Sequence, residues 1–179
     1  MKNKIQSPLL VACIALVGFS SGHATNNSAP AASQDVQNSK PLEEPQVKQV
    51  VNGFFSALEI GNQPKKLFGE YVTDDFLIFE MGKKYTLEEL LESFHAGDRE
   101  WLSTRWVLSD FRISLDQHSA HASYLNTGKF LYREEGKTFR SDLQWLESVY
   151  LVRRSGKLKI HFLQSDDIEK KVPEIDNRP

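Results

Sequence analysis

TFRSDLQWLESVYLVRRSGKLKIHFLQS, from Thr138 to Ser165, is the stretch of this sequence that predicts the fold. The odd positions of its first half form a largely apolar face made of Phe139, Ser141, Leu143, Trp145, Glu147, Val149 and Leu151. Residues 153–157, RRSGK, predict a turn, after which the same face continues with Leu158, Ile160, Phe162 and Gln164. A period of two is typical of strands with one buried face. We therefore expect a long β-hairpin, whose apolar face needs helices to cover it.

Helices in the first half of the chain are expected to supply that cover. Apolar residues recur at helical spacing over residues 45–58, and again in a shorter stretch over residues 62–71. A third helix follows a capping box in which Thr86 precedes Glu89 by three residues. Between the second and third helices, a short β-rich run that turns at Gly82 predicts a small hairpin.

Two further strands are predicted before the long hairpin. In the first, residues 106–115, we expect one side to carry Val107, Ser109, Phe111, Ile113 and Leu115. In the second, residues 120–132, the even positions form the apolar side, and Tyr124 and Asn126 lie on it. The predicted fold class is therefore α+β, with three N-terminal helices packed on a curved, mainly antiparallel sheet.

The N-terminal residues predict export. Residues 1–24 contain two lysines, a short apolar run and small residues at its end, as a cleaved signal peptide does. The remaining chain would carry a formal charge of −4, because it loses two of the 22 basic residues and none of the 24 acidic ones. We expect a periplasmic or secreted protein. Processing as a lipoprotein at Cys13, the only cysteine, is the less favoured alternative, because the apolar run continues beyond it.

Composition also sets the expected domain limits. Residues 25–44 are polar and contain almost no large apolar side chain, so we interpret them as a disordered tether. Residues 45–167 are expected to form one domain, and residues 168–179 a loosely held tail. No Gly-rich phosphate loop, basic stripe or metal-ligand cluster is found in the sequence, so we expect no cofactor, metal or nucleic-acid partner.

The order of elements and three local segments resemble the nuclear transport factor 2-like superfamily, which includes ketosteroid isomerase, scytalone dehydratase and the SnoaL-like cyclases. The segments are FFSALEIGN at residues 54–62, YVTDDFLIFEMGKKYTLEELLESF at residues 71–94 and ESVYLVRRSGKLKIHFLQSDD at residues 147–167. The resemblance implies a cone-shaped fold in which the sheet curls around a pocket, and often a homodimer through the outer sheet face. It does not imply one reaction, because this fold hosts isomerases, dehydratases, cyclases and binding domains.

Two glutamates are the candidate catalytic residues. The resemblance places Glu80 where the steroid isomerases carry their proton-abstracting carboxylate, and the residue follows the apolar run 76–79. Glu147 lies on the apolar face of its strand, where a carboxyl group needs a partner or a raised pKa. The alternatives are a solvated strand end for Glu80 and a rim position or an ion pair for Glu147. The resemblance also places Phe54 at the oxyanion tyrosine of those isomerases, which argues against steroid isomerase chemistry.

The candidate ligand-binding residues are polar or aromatic side chains of the predicted inner face, namely Tyr85, Tyr124, Asn126, Trp145 and Gln164. Their alternative role is ordinary packing of the core. Three functions stay open on these grounds. Binding of a small apolar or aromatic molecule is favoured, a cofactor-independent isomerase, dehydratase or cyclase comes second, and a protein-interaction module using the outer sheet face comes third.

Overall fold

The computed structural model of the chain describes residues 40–62, 69–95 and 99–175. The elements follow one another as α1 Glu44–Ala57, β1 Val72–Glu80, β2 Lys83–Thr86, α2 Leu87–His95, β3 Glu100–Leu115, β4 Ser119–Glu134, β5 Lys137–Arg154, β6 Lys157–Lys171 and β7 Glu174–Ile175. The α+β class predicted from the sequence is confirmed. The predicted second helix, residues 62–71, lies mostly outside the described residues; its last three, 69–71, are helical.

The strands form one mixed sheet in the order β2-β1-β6-β5-β4-β3, and β7 pairs with the first residues of β5. All neighbouring strands are antiparallel except β1 and β6, which run parallel. One face of this sheet, here called the inner face, packs against α1 and α2 and forms the core. The apolar stripe of α1 is buried there through Val47, Val51, Phe54 and Phe55.

Both helices begin at capping boxes, which satisfy backbone N–H groups that the first helical turn leaves free. Before α1, the Glu43 backbone N–H donates to Gln46 Oε1 at 3.0 Å. Before α2, the Thr86 backbone N–H donates to Glu89 Oε2 at 2.7 Å, and the Glu89 backbone N–H donates to Thr86 Oγ1 at 3.3 Å. The box predicted at Thr86 is therefore confirmed, and it sets where α2 starts.

The alternation predicted for β4 and for the first strand of the long hairpin is also confirmed. Buried residues occupy the even positions of β4 from Ala120 to Tyr132 and the odd positions of β5 from Ser141 to Leu151. The turn between β5 and β6 contains Ser155 and Gly156 at positive φ. These two strands therefore form the central part of the inner face.

The prediction for β6 was wrong beyond Ile160. Leu151 pairs with Ile160 whereas the adjacent Tyr150 pairs with Phe162, so His161 is an extra residue in a β-bulge. A bulge reverses which side chains face inward beyond it. Leu163 and Ser165 are consequently buried. Gln164, expected on the inner face, lies on the outer face instead.

A second bulge changes the faces of β3. Ser109 pairs with Leu125 and Arg112 with Ser123, which leaves two residues of β3 opposite the single residue Tyr124. Asp110, one of these two, has a φ of 55°. Trp106 is therefore buried on the inner face, and Val107, expected beside Phe111, is 42% exposed on the opposite face.

The ends of the domain differ from those predicted. Leu42, expected in the tether, is only 6% exposed and belongs to the core. At the other end, β6 continues to Lys171 and the Arg140 backbone N–H donates to the Pro173 carbonyl at 3.3 Å. Residues 168–171 and 174–175 thus belong to strands rather than to a loose tail, because backbone pairing along β5 needs no apolar side chains. The predicted signal peptide, residues 1–24, and residues 25–39 of the predicted tether lie outside the described residues.

Candidate functional site

One row of side chains crosses the inner face of the sheet. Glu80 on β1 and Glu147 on β5 both lie opposite Ser165 of β6, and Tyr124 on β4 lies opposite Glu147. Residues directly opposite each other on paired strands point to the same face. Because neighbouring strands are about 4.8 Å apart, the backbones of the two glutamates are about 10 Å apart. The sheet thus brings together the two carboxyl groups that were candidates from the sequence.

Hydrogen bonds hold the Glu147 carboxylate, which is 6% exposed. Asn126 Nδ2 donates to both of its oxygens, at 3.2 Å each, and the Ser165 hydroxyl donates to Oε1 at 3.3 Å. Burial raises the pKa of Glu147 to about 7, while Asn126, Tyr124 and Ser165 act to lower it. The Tyr124 hydroxyl also helps to lower the pKa of Glu147, although its distance and angles are not those of an ordinary hydrogen bond. Glu147 is therefore a buried carboxyl group whose charged form is stabilised by hydrogen-bond donors.

Glu80 has a different environment. The side chain is 1% exposed, and its Oε1 accepts no hydrogen bond from the described residues. Burial raises the pKa of Glu80 to about 8, and the negative charges of Asp167 and Glu147 contribute in the same direction. The solvated strand end considered from the sequence does not describe this residue. Near neutral pH, Glu80 holds a proton.

A small cavity lies between the two carboxyl groups and the helices. Its volume is about 20 Å³, which is room for about one water molecule. The sheet side is lined by Glu80, Glu147, Ser165, Ile78, Leu163, Trp106 and Trp145, and the helical side by Phe54, Phe55, Leu58 and Leu90. Phe54, expected at the oxyanion position, does face this cavity, and its ring has no proton to donate. Among the described residues, the interior of the domain is filled by its own aliphatic and aromatic side chains.

Several buried polar atoms of the inner face have no hydrogen-bond partner among the described residues. They are Glu80 Oε1, Tyr85 Oη, Tyr124 Oη, Asn126 Oδ1, Ser141 Oγ and Trp145 Nε1. Most buried polar atoms in folded proteins are paired, so a group of unpaired ones on one face is unusual. Four of these atoms, in Tyr85, Tyr124, Ser141 and Trp145, belong to groups that can donate a hydrogen bond to a polar ligand atom.

Four of the five predicted ligand-binding residues therefore lie on the inner face. Tyr124, Asn126 and Trp145 are within the buried part of β4 and β5. Tyr85 lies on β2, and its pKa is raised mainly by burial and also by the nearby carboxyl group of Glu80. Gln164 is on the other side of the sheet. Its amide donates to Asp166 Oδ1 at 3.4 Å there.

Sequence analysis did not single out Ser165, the residue that stands between the two carboxyl groups. The strict alternation assigned Gln164 to the inner face and thereby excluded its neighbour. The signal that was available is the pair of adjacent apolar residues Phe162 and Leu163, which does not fit a period of two. Such a pair marks a place where a bulge can change the faces of a strand.

Other features were searched for among residues 40–62, 69–95 and 99–175. These residues contain no group of three side chains suited to hold a metal ion. No helix among them has the length and apolar character needed to cross a membrane. His161 makes its contacts away from the row, with Nδ1 at 3.2 Å from both Thr73 Oγ1 and Asp75 Oδ1.

Solved structures of low sequence identity share this architecture. A candidate scytalone dehydratase from Novosphingobium aromaticivorans has a TM-score of 0.58 at 12% identity, covering 74% of this chain and 89% of its own. A hexachlorocyclohexane dehydrochlorinase from Novosphingobium barchaimii has a TM-score of 0.58 at 11% identity, covering 73% and 89%. An NTF2-like protein from Prochlorococcus has a TM-score of 0.51 at 15% identity, covering 72% and 94%.

These similarities show the fold. The chain has the nuclear transport factor 2-like fold, as its sequence resemblance predicted. No protein-family model matches the chain. No curated protein matches it in sequence. The role of the inner face therefore has to be argued from its own residues.

Proposed function

We propose that this protein is a cofactor-independent enzyme that moves a proton on a small, largely apolar molecule, as an isomerase, dehydratase or cyclase does. The observation that carries the proposal is Glu80, which is 1% exposed and whose Oε1 accepts no hydrogen bond from the described residues. The sequence alone favours binding without catalysis. A second buried carboxyl group in the same row, Glu147, makes proton transfer the better supported function.

The physical reason is the free energy that is needed to bury the carboxyl groups of Glu80 and Glu147. Burying an ionisable carboxyl group away from water destabilises a protein unless partners compensate. A pocket that only holds an apolar molecule gains nothing from two of them. A general acid or base, in contrast, works best when its pKa is near the working pH. The pKa values of about 8 for Glu80 and about 7 for Glu147 lie in that range.

The size of the cavity limits the substrate. A volume of about 20 Å³ does not hold an organic molecule, so a substrate has to displace part of the wall. Leu58 and Leu90 belong to the helical side of that wall. A shift of the helical segments would enlarge the cavity while leaving the hydrogen bonds of the sheet intact. We expect a small substrate whose apolar part takes the place of these side chains.

The similar structures support the proposal because they show that proteins of this fold include enzymes named for elimination reactions. The names dehydratase and dehydrochlorinase both denote removal of a small molecule from a substrate. General acid–base catalysis by positioned side chains serves reactions of this kind. At 11–12% identity these similarities assign no role to any residue of this chain.

The test uses proton exchange. The purified protein is incubated in D2O with a panel of small ketones and β-hydroxy carbonyl compounds, and deuterium uptake and loss of water are followed by mass spectrometry. Glu80→Gln and Glu147→Gln are each expected to slow the reaction about 100-fold or more, the usual contribution of a general acid or base. Glu92→Gln, which changes an exposed carboxyl group on α2, is the matched control. Unchanged rates in both buried variants would contradict the proposal.

Binding without catalysis remains the second candidate. The specific observation in its favour is the aromatic wall, in which Trp145 offers an unpaired buried Nε1 donor. Native mass spectrometry of the protein purified from its own cell envelope would detect a retained small molecule. A retained molecule that undergoes no change, with equal affinity in Glu80→Gln, would favour a carrier over an enzyme.

We also propose that the protein is exported and forms a homodimer through the outer sheet face. Three large apolar side chains on that face support the contact: Val107 is 42%, Leu146 59% and Tyr150 40% exposed. Light scattering on the protein and on Leu146→Lys tests it. A dimer that Leu146→Lys converts to a monomer is the expected result, and the third hypothesis, a module for other proteins, gains if the unaltered protein is monomeric.

A further inference from the structure

We infer that the two buried carboxyl groups have opposite roles: Glu147 carries the negative charge and accepts the proton of the substrate, and Glu80 carries a proton and donates it. This inference rests on the proposed function and deepens it. It reverses the role that the family resemblance implies for Glu80, which is proton abstraction. The observation behind it is the unequal distribution of hydrogen-bond donors along the row.

The donors are placed around Glu147. Asn126 Nδ2 contacts both carboxylate oxygens at 3.2 Å, and the Ser165 hydroxyl contacts Oε1 at 3.3 Å. Hydrogen bonds donated to a carboxylate stabilise its charged form. Asn126 is 0% exposed and Ser165 is 2% exposed, so water does not compete for these donors. Asn126 and Ser165 are thus positioning residues that keep Glu147 charged and oriented.

The surroundings of Glu80 favour its neutral form. The charged or titratable groups around it are Glu147 on β5, Asp167 on β6, and Tyr85 on β2. Lys83, its pairing partner at the end of the β1–β2 hairpin, is exposed to solvent. Two of these groups bear negative charge and disfavour a third carboxylate nearby. A protonated carboxyl group can donate one hydrogen bond, which is what an acid catalyst needs.

The pKa directions agree with this division. Burial raises the pKa of both groups, but donors oppose the rise at Glu147, which reaches about 7, and none opposes it at Glu80, which reaches about 8. Because two like charges in one buried row repel each other, ionisation of one keeps the proton on the other. Pairs of titratable groups whose environments separate their pKa values divide acid and base roles in this way.

In the proposed step one proton is accepted by Glu147 and one proton is donated by Glu80. Glu147 takes a proton from a substrate carbon, and the electron pair of that C–H bond forms a new C=C bond. In an elimination the leaving hydroxyl takes the proton of Glu80 and departs as water; in an isomerisation the Glu80 proton goes to the atom that receives the electron pair. The charge passes from Glu147 to Glu80, and the number of protons is conserved.

The test is a titration that needs no substrate. Protein labelled with ¹³C at the side-chain carboxyl carbon of glutamate is titrated by NMR from pH 4 to 10, and Glu80→Gln and Glu147→Gln assign the two resonances by their absence. Glu147 is expected to ionise first. Removing its charge in Glu147→Gln is expected to lower the pKa of Glu80 by about one unit. Ionisation of Glu80 before Glu147 overturns the inference.

The positioning residues have their own readout. Asn126→Leu, which removes the donor at similar volume, is expected to raise the pKa of Glu147 by about one unit or more and to shift the acidic limb of any pH–rate profile to higher pH with it. Ser165→Ala is expected to act in the same direction by a smaller amount, and it serves if Asn126→Leu does not fold. Ser148→Ala, on the outer face of β5, is the control. A Glu147 pKa unchanged in both inner-face variants overturns their positioning role.

The two proposals can fail separately. Catalysis with Glu80 ionised first overturns the division of roles and keeps the proposed function. Glu147 ionised first in a protein that exchanges no substrate proton and binds only unchanged molecules overturns the proposed function, and the catalytic roles with it.

Discussion

Replacing Glu80 by glutamine is expected to flatten the pH dependence of the stability of this protein. Glutamine has nearly the shape of a protonated glutamic acid, so the packing of the inner face is kept while the ionisation is removed. The side chain is 1% exposed, which means that solvent does little to moderate the effect of ionisation in the native protein. The difference between variant and unaltered protein therefore isolates one buried carboxyl group.

The sign and size follow from the pKa of Glu80 in the two states. Folding raises this pKa from its ordinary 4.5 to about 8, so between these values the folded state binds the proton more tightly than the unfolded chain does. The contribution of Glu80 to the free energy of unfolding is fully present below pH 4.5. It decreases as the pH rises from 4.5 to about 8, and above that pH it is lost. With about 1.4 kcal/mol for each pKa unit, the loss between pH 5 and pH 9 is about 4 kcal/mol. That is a large fraction of the stability of a typical domain.

The measurement is urea denaturation followed by tryptophan fluorescence at intervals from pH 5 to 9. Glu80→Gln is expected to be close to the unaltered protein at pH 5 and to exceed it by about 4 kcal/mol in free energy of unfolding at pH 9. Glu92→Gln on the exposed side of α2 should follow the unaltered protein throughout. Parallel curves for Glu80→Gln and the unaltered protein would refute the reasoning, because they would mean that Glu80 ionises in the folded state as easily as in water.

Two further predictions concern packing and capping. Gly128→Ala is expected to destabilise the protein by about 1–3 kcal/mol in urea denaturation, because a Cβ there would lie 2.5 Å from the ring of Phe130 and 2.6 Å from that of Trp145; an unchanged midpoint would show that these rings move freely. Thr86→Ala is expected to cost about 1 kcal/mol, since it removes the side-chain acceptor of the Glu89 backbone N–H, and Thr86→Ser should restore most of it; equal losses in both variants would contradict a capping role.

Much of the architecture could be predicted from the sequence because periodicity reports burial directly. The even positions of β4 and the odd positions of β5 alternate strictly over long strands, so both buried faces were predicted correctly. The capping box at Thr86 is likewise a local signal with one physical meaning. These features depend on neighbouring residues in the chain, and this is why sequence alone carries them.

The candidate site could be predicted only in part, because it depends on register between distant strands. Glu80 and Glu147 were recognised one at a time, Glu80 from the family resemblance and the apolar run before it, and Glu147 from its place on an apolar strand face. Their common row follows from pairing of β1 and β5 with the same residue of β6, which no local pattern contains. The filled interior was also beyond sequence analysis, since the cavity of about 20 Å³ depends on how α1 and α2 pack over the sheet.

The bulge at His161 is what makes the row a site. Without the extra residue, β6 would present Gln164 to the inner face and turn Ser165 outward. Glu147 would then lose its hydroxyl donor, and the position between the two carboxyl groups would be occupied by a larger amide side chain. His161 is itself held by contacts with Thr73 and Asp75 at the start of β1. The same strand that carries Glu80 at its end therefore also contacts the bulge that places Ser165 beside it, so the two halves of the site depend on one pairing of β1 with β6.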